Sequence, residues 1–252
     1  MPETLHLVKV PLLPDKLVGL ARRRGLPLRE VDEGYLSHCL LRELWQEQAP
    51  YPFVLRPNGR VLDAWGYSRS NSAALVDHAR AFGDPPLLAA IGDLGVVASK
   101  PMPCFEKGRR LGFLLRACPV VRLAGAKRGH STGAEVDAFL ARCFEVGAQV
   151  TVAREEVYCD WLAKRLGNES TTGVTVERIR VAAMSRERLA RRTQGRERSV
   201  SRIERPDIRF DGELVVSDGQ RFLSYLAHGV GRHRAFGFGA LLLVPPGTSY
   251  AV

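Results

Sequence analysis

YPFVLRPNGRVLDAWGYS, residues 51–68, sets two runs of strand-forming residues around an Asn-Gly pair. Asn58-Gly59 between apolar runs is among the strongest short signals for a β-hairpin, because a tight hairpin turn needs residues that tolerate positive φ. What flanks the hairpin decides the fold. Upstream, residues 4–10 read as an opening strand, and a proline-bounded connection with room for a short helix follows. Asp32 is placed to cap a helix from about Glu33 to Gln46, which Ala-Pro-Tyr-Pro at 49–52 then stops. Downstream, Ser70 or Asn71 can cap a second helix ending near Gly83, and LGVVASKPMP returns as a strand. The order is β-α-β-β-α-β, the split βαβ unit of ferredoxin-like folds.

The second half repeats it. RRLGFLLRACPVVRL reads as a strand interrupted by Pro119, followed by helices over 137–144 and 155–166 and a strand at GVTVERIRVAAM. An Arg-rich segment leads into the strand IRFDGELVV; Ser217-Asp218 caps a helix that Gly229 closes, and AFGFGALLLV ends the series. The expected class is α+β, with two tandem ferredoxin-like (RRM-like) βαββαβ domains over residues 1–103 and 104–252. One extra helix and one basic insertion decorate the second.

Composition narrows the function. Hydrophobic residues make up 45% of the 252 and charged residues 25%, which is ordinary for a soluble globular chain. The N-terminus lacks a signal-peptide pattern, and the longest apolar run is too short to span a bilayer. Five scattered cysteines form no CxxC pair, which points to reduced thiols in the cytoplasm, and no Cys/His cluster suggests a metal. No cofactor motif is present. The net charge of +10 is concentrated: residues 100–128 and 178–209 each carry +7, so the rest of the chain sums to −4. Two basic patches, mostly arginine, suit a polyanionic partner held by bidentate phosphate and base-edge contacts. A membrane surface fits less well, since no apolar face accompanies the basic runs. A DNA reader would need a groove-reading helix, and no helix has that pattern.

On the helix from Glu33, Leu36, Leu40 and Leu44 form a buried stripe at ~100° per residue, while Tyr35, His38, Arg42 and Trp45 fall on the roughly opposite side. Tyr35 and His38 are i and i+3, hence neighbours. A Tyr, a His and an Arg together can move protons and offset charge on a phosphodiester, although a lone polar-face histidine is most often a solvated surface residue. Of the other histidines, His6 and His78 read as structural or solvated, His130 sits in a Gly/Ser loop and His228 at a helix C-terminus. His233, inside GVGRHRAFGFGALLLV (229–244), is the competing catalytic candidate. That glycine-rich stretch follows a helix and feeds a strand, the reverse of a P-loop or Rossmann turn.

YLSH with Tyr35 and His38, GFLLRACPVVR, the tryptophan helix DWLAKRL, and FDGELVVSD running on to GVGRHRAFGFGALLL occur in one order. In that order they resemble the CasE-type endoribonucleases, the Cascade subunit that cuts CRISPR precursor RNA in type I-E systems. Cys118 stands where that family usually has Asn, and Glu43 where some members have Lys. The resemblance implies two ferredoxin-like domains and a metal-independent cut 3′ of a repeat hairpin by 2′-hydroxyl attack. His38 is then the general acid/base and Tyr35 its partner, with no cofactor. Partners implied are the CRISPR repeat hairpin and its crRNA product, and other Cascade subunits with the backbone subunit adjacent. RNA contacts fall to Arg42, to Arg109, Lys127 and Arg128, and to Arg186, Arg188, Arg191, Arg192, Arg196, Arg198 and Arg202 along the stem. They fall also to the loop Gly229, Gly231, Arg232, His233, Arg234, Gly237 and Gly239. A non-catalytic scaffold that only holds the hairpin is the alternative, and the intact Tyr-x-x-His argues against it.

Overall fold

The computed structural model describes residues 4–23, 32–146, 151–192 and 200–250, and the side chains of all of these except 23, 189–192 and 200–203. The first half runs β1 (His6–Leu12), α1 (Pro14–Arg23), α2 (Glu33–Trp45), β2 (Phe53–Asn58), β3 (Val61–Ser68), α3 (Ser72–Phe82), α4 (Pro85–Ile91) and β4 (Ala98–Pro101). Its antiparallel sheet has the order β2-β3-β1-β4. The second half runs β5 (Arg110–Ala117), β6 (Val120–Arg122), β7 (Glu135–Asp137), α5 (Ala138–Val146), α6 (Arg154–Leu166), α7 (Glu169–Thr172), β8 (Val174–Arg192), β9 (Val200–Val216), α8 (Gly219–His228) and β10 (Leu241–Val244). Its sheet, β10-β5-β9-β8, has the same topology, with first and third strands central and fourth and second at the edges. The chain is therefore a tandem of ferredoxin-like units, as the repeated element order implies.

The turn between β2 and β3 shows how local chemistry sets this frame. Asn58 pairs with Val61, so the central residues are Gly59 and Arg60, and Gly59 adopts φ +60. That glycine-first geometry matches the twist of a two-residue hairpin. Asn58 instead donates its side-chain amide to Asp63 at 3.0 Å.

Strand alternation divides the cores. Val8, Val10 and Leu12 of β1 join Leu36, Leu40 and Leu44 of α2 beneath the first sheet. A second core, around Phe113, Phe210, Trp161 and Phe222, fills the other unit. The units meet through strand residues Val54, Leu114 and Leu242 and through Ala240 just before β10, with Leu7 and Trp65 packed alongside. Tyr67, fully buried, donates its hydroxyl across this junction to the Leu241 carbonyl at 2.6 Å.

Several elements differ from the sequence reading. The Arg-rich segment is no loop: β8 and β9 pair from Val174↔Val216 to Arg192↔Val200, with register shifts between Val176 and Arg178 and between Val181 and Ala183, extending the sheet as a two-stranded ribbon. The stretch around Pro119 breaks into two strands, and β6 leaves the sheet to pair with β7. Helix α4 occupies residues that carried no assignment. The last strand begins only at Leu241, because Arg234–Phe236 form a 3₁₀ turn and Gly237 and Gly239 take positive φ.

Candidate active site at the junction of the units

The first turn of α2 is fixed by its cap: Asp32 accepts the Tyr35 backbone N–H at 2.7 Å. This cap sets the angle at which Tyr35 and His38 leave the helix. Both side chains are half-buried. Trp45 departs from the wheel reading. It lies fully buried in the first core and donates its indole N–H to the Leu75 carbonyl at 2.7 Å, because α3 packs over the last turn of α2 and covers its second side.

The glycine-rich loop closes against this turn from the other unit. A Cβ at Gly34 would collide with the Phe236 carbonyl oxygen, so the absence of a side chain there lets the loop backbone seat directly on α2. Phe236 stacks on Tyr35, with ring centroids 5.5 Å apart. His38 faces Tyr51 at 5.7 Å, and the Arg234 guanidinium lies over the same Tyr51 ring at 5.6 Å. Arg234 also donates to the His228 carbonyl, which caps α8. A tyrosine, a histidine and an arginine thus gather from α2, the approach to β2 and the loop. Burial and then the positive charge of Arg42 lower the His38 pKa, so its neutral form, able to accept a proton, prevails near neutrality.

The remaining predicted residues separate by position. Arg42 turns to its own helix end, donating to the Gln46 carbonyl at 2.8 Å and pairing with Glu47 at 2.6 Å. His233 does not face open solvent as a free base: its Nε2 lies 2.6 Å from Glu135. Arg232 meets the same carboxylate at 2.5 Å and Arg205 at 3.2 Å. Burial alone would raise the Glu135 pKa, but the His233 hydrogen bond and the charges of His233, Arg205 and Arg232 hold it at about 2. The loop glycines approach protein: Gly229 (φ +79) packs on Pro52, and a Cβ at Gly231 would sit 3.0 Å from the Trp161 ring. Gly237 lies beside Arg116 and Phe53, and Gly239 against the Val230 carbonyl.

Lys127 and Arg128 are exposed on the turn between β6 and β7. Arg186, near Glu204 and Asp137, and the exposed Arg188 lie on the ribbon. Arg109 stands just before β5, at the end opposite Arg116, and is not brought to the site. Arg196 and Arg198 lie outside the described residues, as do the side chains of Arg191, Arg192 and Arg202. Among the described residues no cluster of three His, Cys, Asp or Glu could hold a metal, and no helix is long and apolar enough to cross a membrane. All five cysteines are free, and burial pushes the Cys118 thiol pKa far up.

Sequence reasoning passed over Arg116. Its guanidinium grips Asp207 through two bonds of 3.0 and 2.9 Å, pairs with Glu187 on the ribbon, and lies 4.4 Å from the Phe238 ring. Burial pushes Asp32 up to about 6, against the Tyr35 N–H and the Arg116 charge. Burial likewise pushes Glu187 up to about 7, opposed by Arg116 and helped by Asp32 and Asp207. The available signal was a lone glutamate among arginines at 186–192, a pattern that suggests a specific pair.

Two ferredoxin-like units in tandem define a fold class seen in solved structures. This fold is shared with CRISPR endoribonuclease Cse3 bound to 19-nucleotide RNA, at TM-score 0.60 and 22% identity, covering 96% of this chain and 100% of that one. It is shared also with Thermus thermophilus Cse3 bound to an RNA representing a pre-cleavage complex (TM-score 0.58, 21% identity, 96% and 100% covered). A chain of a CRISPR RNA-guided surveillance complex, pre-nicking, matches at TM-score 0.56 and 21% identity, with 96% and 99% covered. Among curated protein sequences none matches significantly. The family model for CRISPR associated protein matches residues 5–245, and the chain belongs to that family.

Proposed function

We propose that this chain is a CRISPR precursor-RNA endoribonuclease that cuts 3′ of the repeat hairpin and keeps its product. The observation that carries the reading is the seating of Tyr35 and His38 at the junction of the units, with a lowered His38 pKa and arginine nearby. Family membership supports it, as do the RNA-bound Cse3 structures that share the fold.

In the proposed reaction the ribose 2′-oxygen attacks the adjacent phosphorus and the bond to the 5′-oxygen breaks. The products are a 2′,3′-cyclic phosphate and a 5′-hydroxyl. Neutral His38 accepts the 2′-hydroxyl proton and, once protonated, delivers it to the leaving 5′-oxygen, so the proton count balances. Tyr35, held by Phe236 and the Asp32-capped turn, orients the reacting group. General acid-base help of this kind is worth ~10²–10⁴-fold. Arg234 offsets charge on the phosphorane through its place beside Tyr51. Both nucleophile and leaving group belong to the RNA, so the step consumes no water and calls for no metal.

The ribbon lies along the hairpin stem. The A-form major groove is deep and narrow, so Arg186 and Arg188 serve phosphates and the stem end rather than internal base edges. Retention of the crRNA places the protein in a Cascade-type assembly beside a backbone subunit, a reading supported by the surveillance-complex chain of the same fold. The test is incubation with a repeat RNA in EDTA, followed by mapping of product ends. A 2′,3′-cyclic phosphate at the 3′ base of the stem is expected. Binding without a shortened product would replace the nuclease with a scaffold.

A further inference from the structure

The ribbon has two faces, because side chains alternate along a strand. Glu187 lies on the face that carries Arg116 of β5, and its neighbours Arg186 and Arg188 lie on the other, where Arg186 approaches Asp137 at 3.9 Å and Arg188 is exposed. Directly across the ribbon from Glu187 stands Arg205, which turns to Glu135 on β7 at 3.2 Å. The base of the ribbon is therefore held to the body on both faces, and two of its ion pairs, Glu187–Arg116 and Arg205–Glu135, share the face of Arg116.

Both pairs end on the glycine-rich loop. The Arg116 carbonyl accepts the Gly239 N–H at 2.8 Å, and its guanidinium lies on Phe238. Glu135 holds Arg232 at 2.5 Å and His233 at 2.6 Å. Between those anchors lies Phe236, the residue that stacks on Tyr35 and whose carbonyl rests on Gly34. Two routes of direct contact thus join the ribbon to the first turn of α2. Asp207 and Glu187 both contact Arg116, and Asp32 is close enough to act on its charge, so Arg116 links the ribbon to the cap of α2.

We infer that the Glu187–Arg116 and Arg205–Glu135 pairs are positioning contacts through which engagement of the ribbon by RNA seats the loop, and with it Tyr35 and His38. This rests on the reading of the chain as a hairpin-RNA nuclease. Its consequence is substrate selection by rate: RNA that fails to engage the ribbon meets a misaligned acid-base pair. A misplacement of about 1 Å costs on the order of 10²-fold in rate. Partial loosening from one lost pair should cost less.

The test compares wild type with Glu187→Gln, and separately with Glu135→Gln. Three quantities are measured: Kd for the repeat hairpin, the single-turnover rate at saturating protein, and amide exchange across residues 34–38. The exchange sample carries a hairpin with a 2′-deoxy nucleotide at the cut. Neither glutamate is among the side chains proposed to contact RNA, so Kd should stay within about threefold, while the saturating rate should fall roughly tenfold. Wild type should gain exchange protection at 34–38 on binding, and each variant should lose most of that gain. Unchanged rate and protection would overturn the inference, as would a weaker Kd with a normal saturating rate. Should Glu187→Gln fail to fold, Glu135→Gln tests the same link through the second pair. If wild type itself leaves the natural hairpin uncut, the nuclease reading fails, and the exchange comparison alone still decides whether ribbon and helix communicate.

Discussion

Replacing Gly34 with alanine should lower stability, against the usual preference of helices. In a helix interior alanine is favoured over glycine by about 1 kcal/mol. At Gly34 the new Cβ would lie 2.5 Å from the Phe236 carbonyl carbon and 2.9 Å from the Asp32 carboxylate. The first is backbone of the opposite unit and the second is the helix cap, so neither can swing aside. Overpacking of this kind costs about 1–3 kcal/mol, which offsets the propensity gain and leaves a net loss of up to about 2 kcal/mol. For a chain of this size that is a fall of up to roughly 4–8 °C in Tm. Gly19 in α1 is the matched control: nothing lies within 4 Å of its Cβ position, and Gly19→Ala should raise Tm by roughly 2–4 °C. Differential scanning calorimetry of both variants beside wild type gives the comparison. Because the displaced loop carries Phe236, Gly34→Ala should also slow cleavage. A rise in Tm for Gly34→Ala equal to that of Gly19→Ala would refute the direct seating of the loop on α2.

Three more outcomes are expected. Arg42→Ala removes a positive charge that lowers the His38 pKa, so the His38 midpoint followed by NMR should move to higher pH, and an unmoved midpoint would contradict that role. Asp32, raised from its usual 3.8 to about 6, favours folding in its protonated form. That contribution is whole at pH values below its usual pKa and is lost as pH rises through about 6, so Asp32→Asn should gain on wild type in urea unfolding between pH 4 and pH 7. Arg188→Ala should weaken hairpin binding and flatten the slope of log Kd against log salt by about 0.7–0.9, whereas an unchanged slope would make Arg188 a solvated residue.

The sheet topology was legible because each unit's hydrophobic runs and caps are local. Asp32, Asn71 and Asp218 do cap their helices, and Gly229 does end α8. What sequence reasoning missed depends on partners far away in the chain. The ribbon was hidden because arginine and glutamate give no period-2 apolar signal; its strands are held by the backbone ladder and by ion pairs. Trp45 was misplaced because the wheel knows one face of α2 and nothing of α3 above it. Helix α4 was obscured by its two prolines, although Pro85 at a first helical position is a start signal. Tyr35 and His38 could be singled out from spacing, but Phe236 and Arg116 could not. Phe236 meets its partner some 200 residues away, and Arg116 looked like one more basic residue in a charged window.

The most direct test of the account is cleavage of the cognate repeat hairpin by His38→Ala in EDTA, with Kd measured on the same samples. The expected result is a single-turnover rate lower by ~10²–10⁴-fold with hairpin affinity retained. Full-rate cleavage by that variant would contradict the assignment of the chemistry to His38, and would direct attention to His233 beside Glu135.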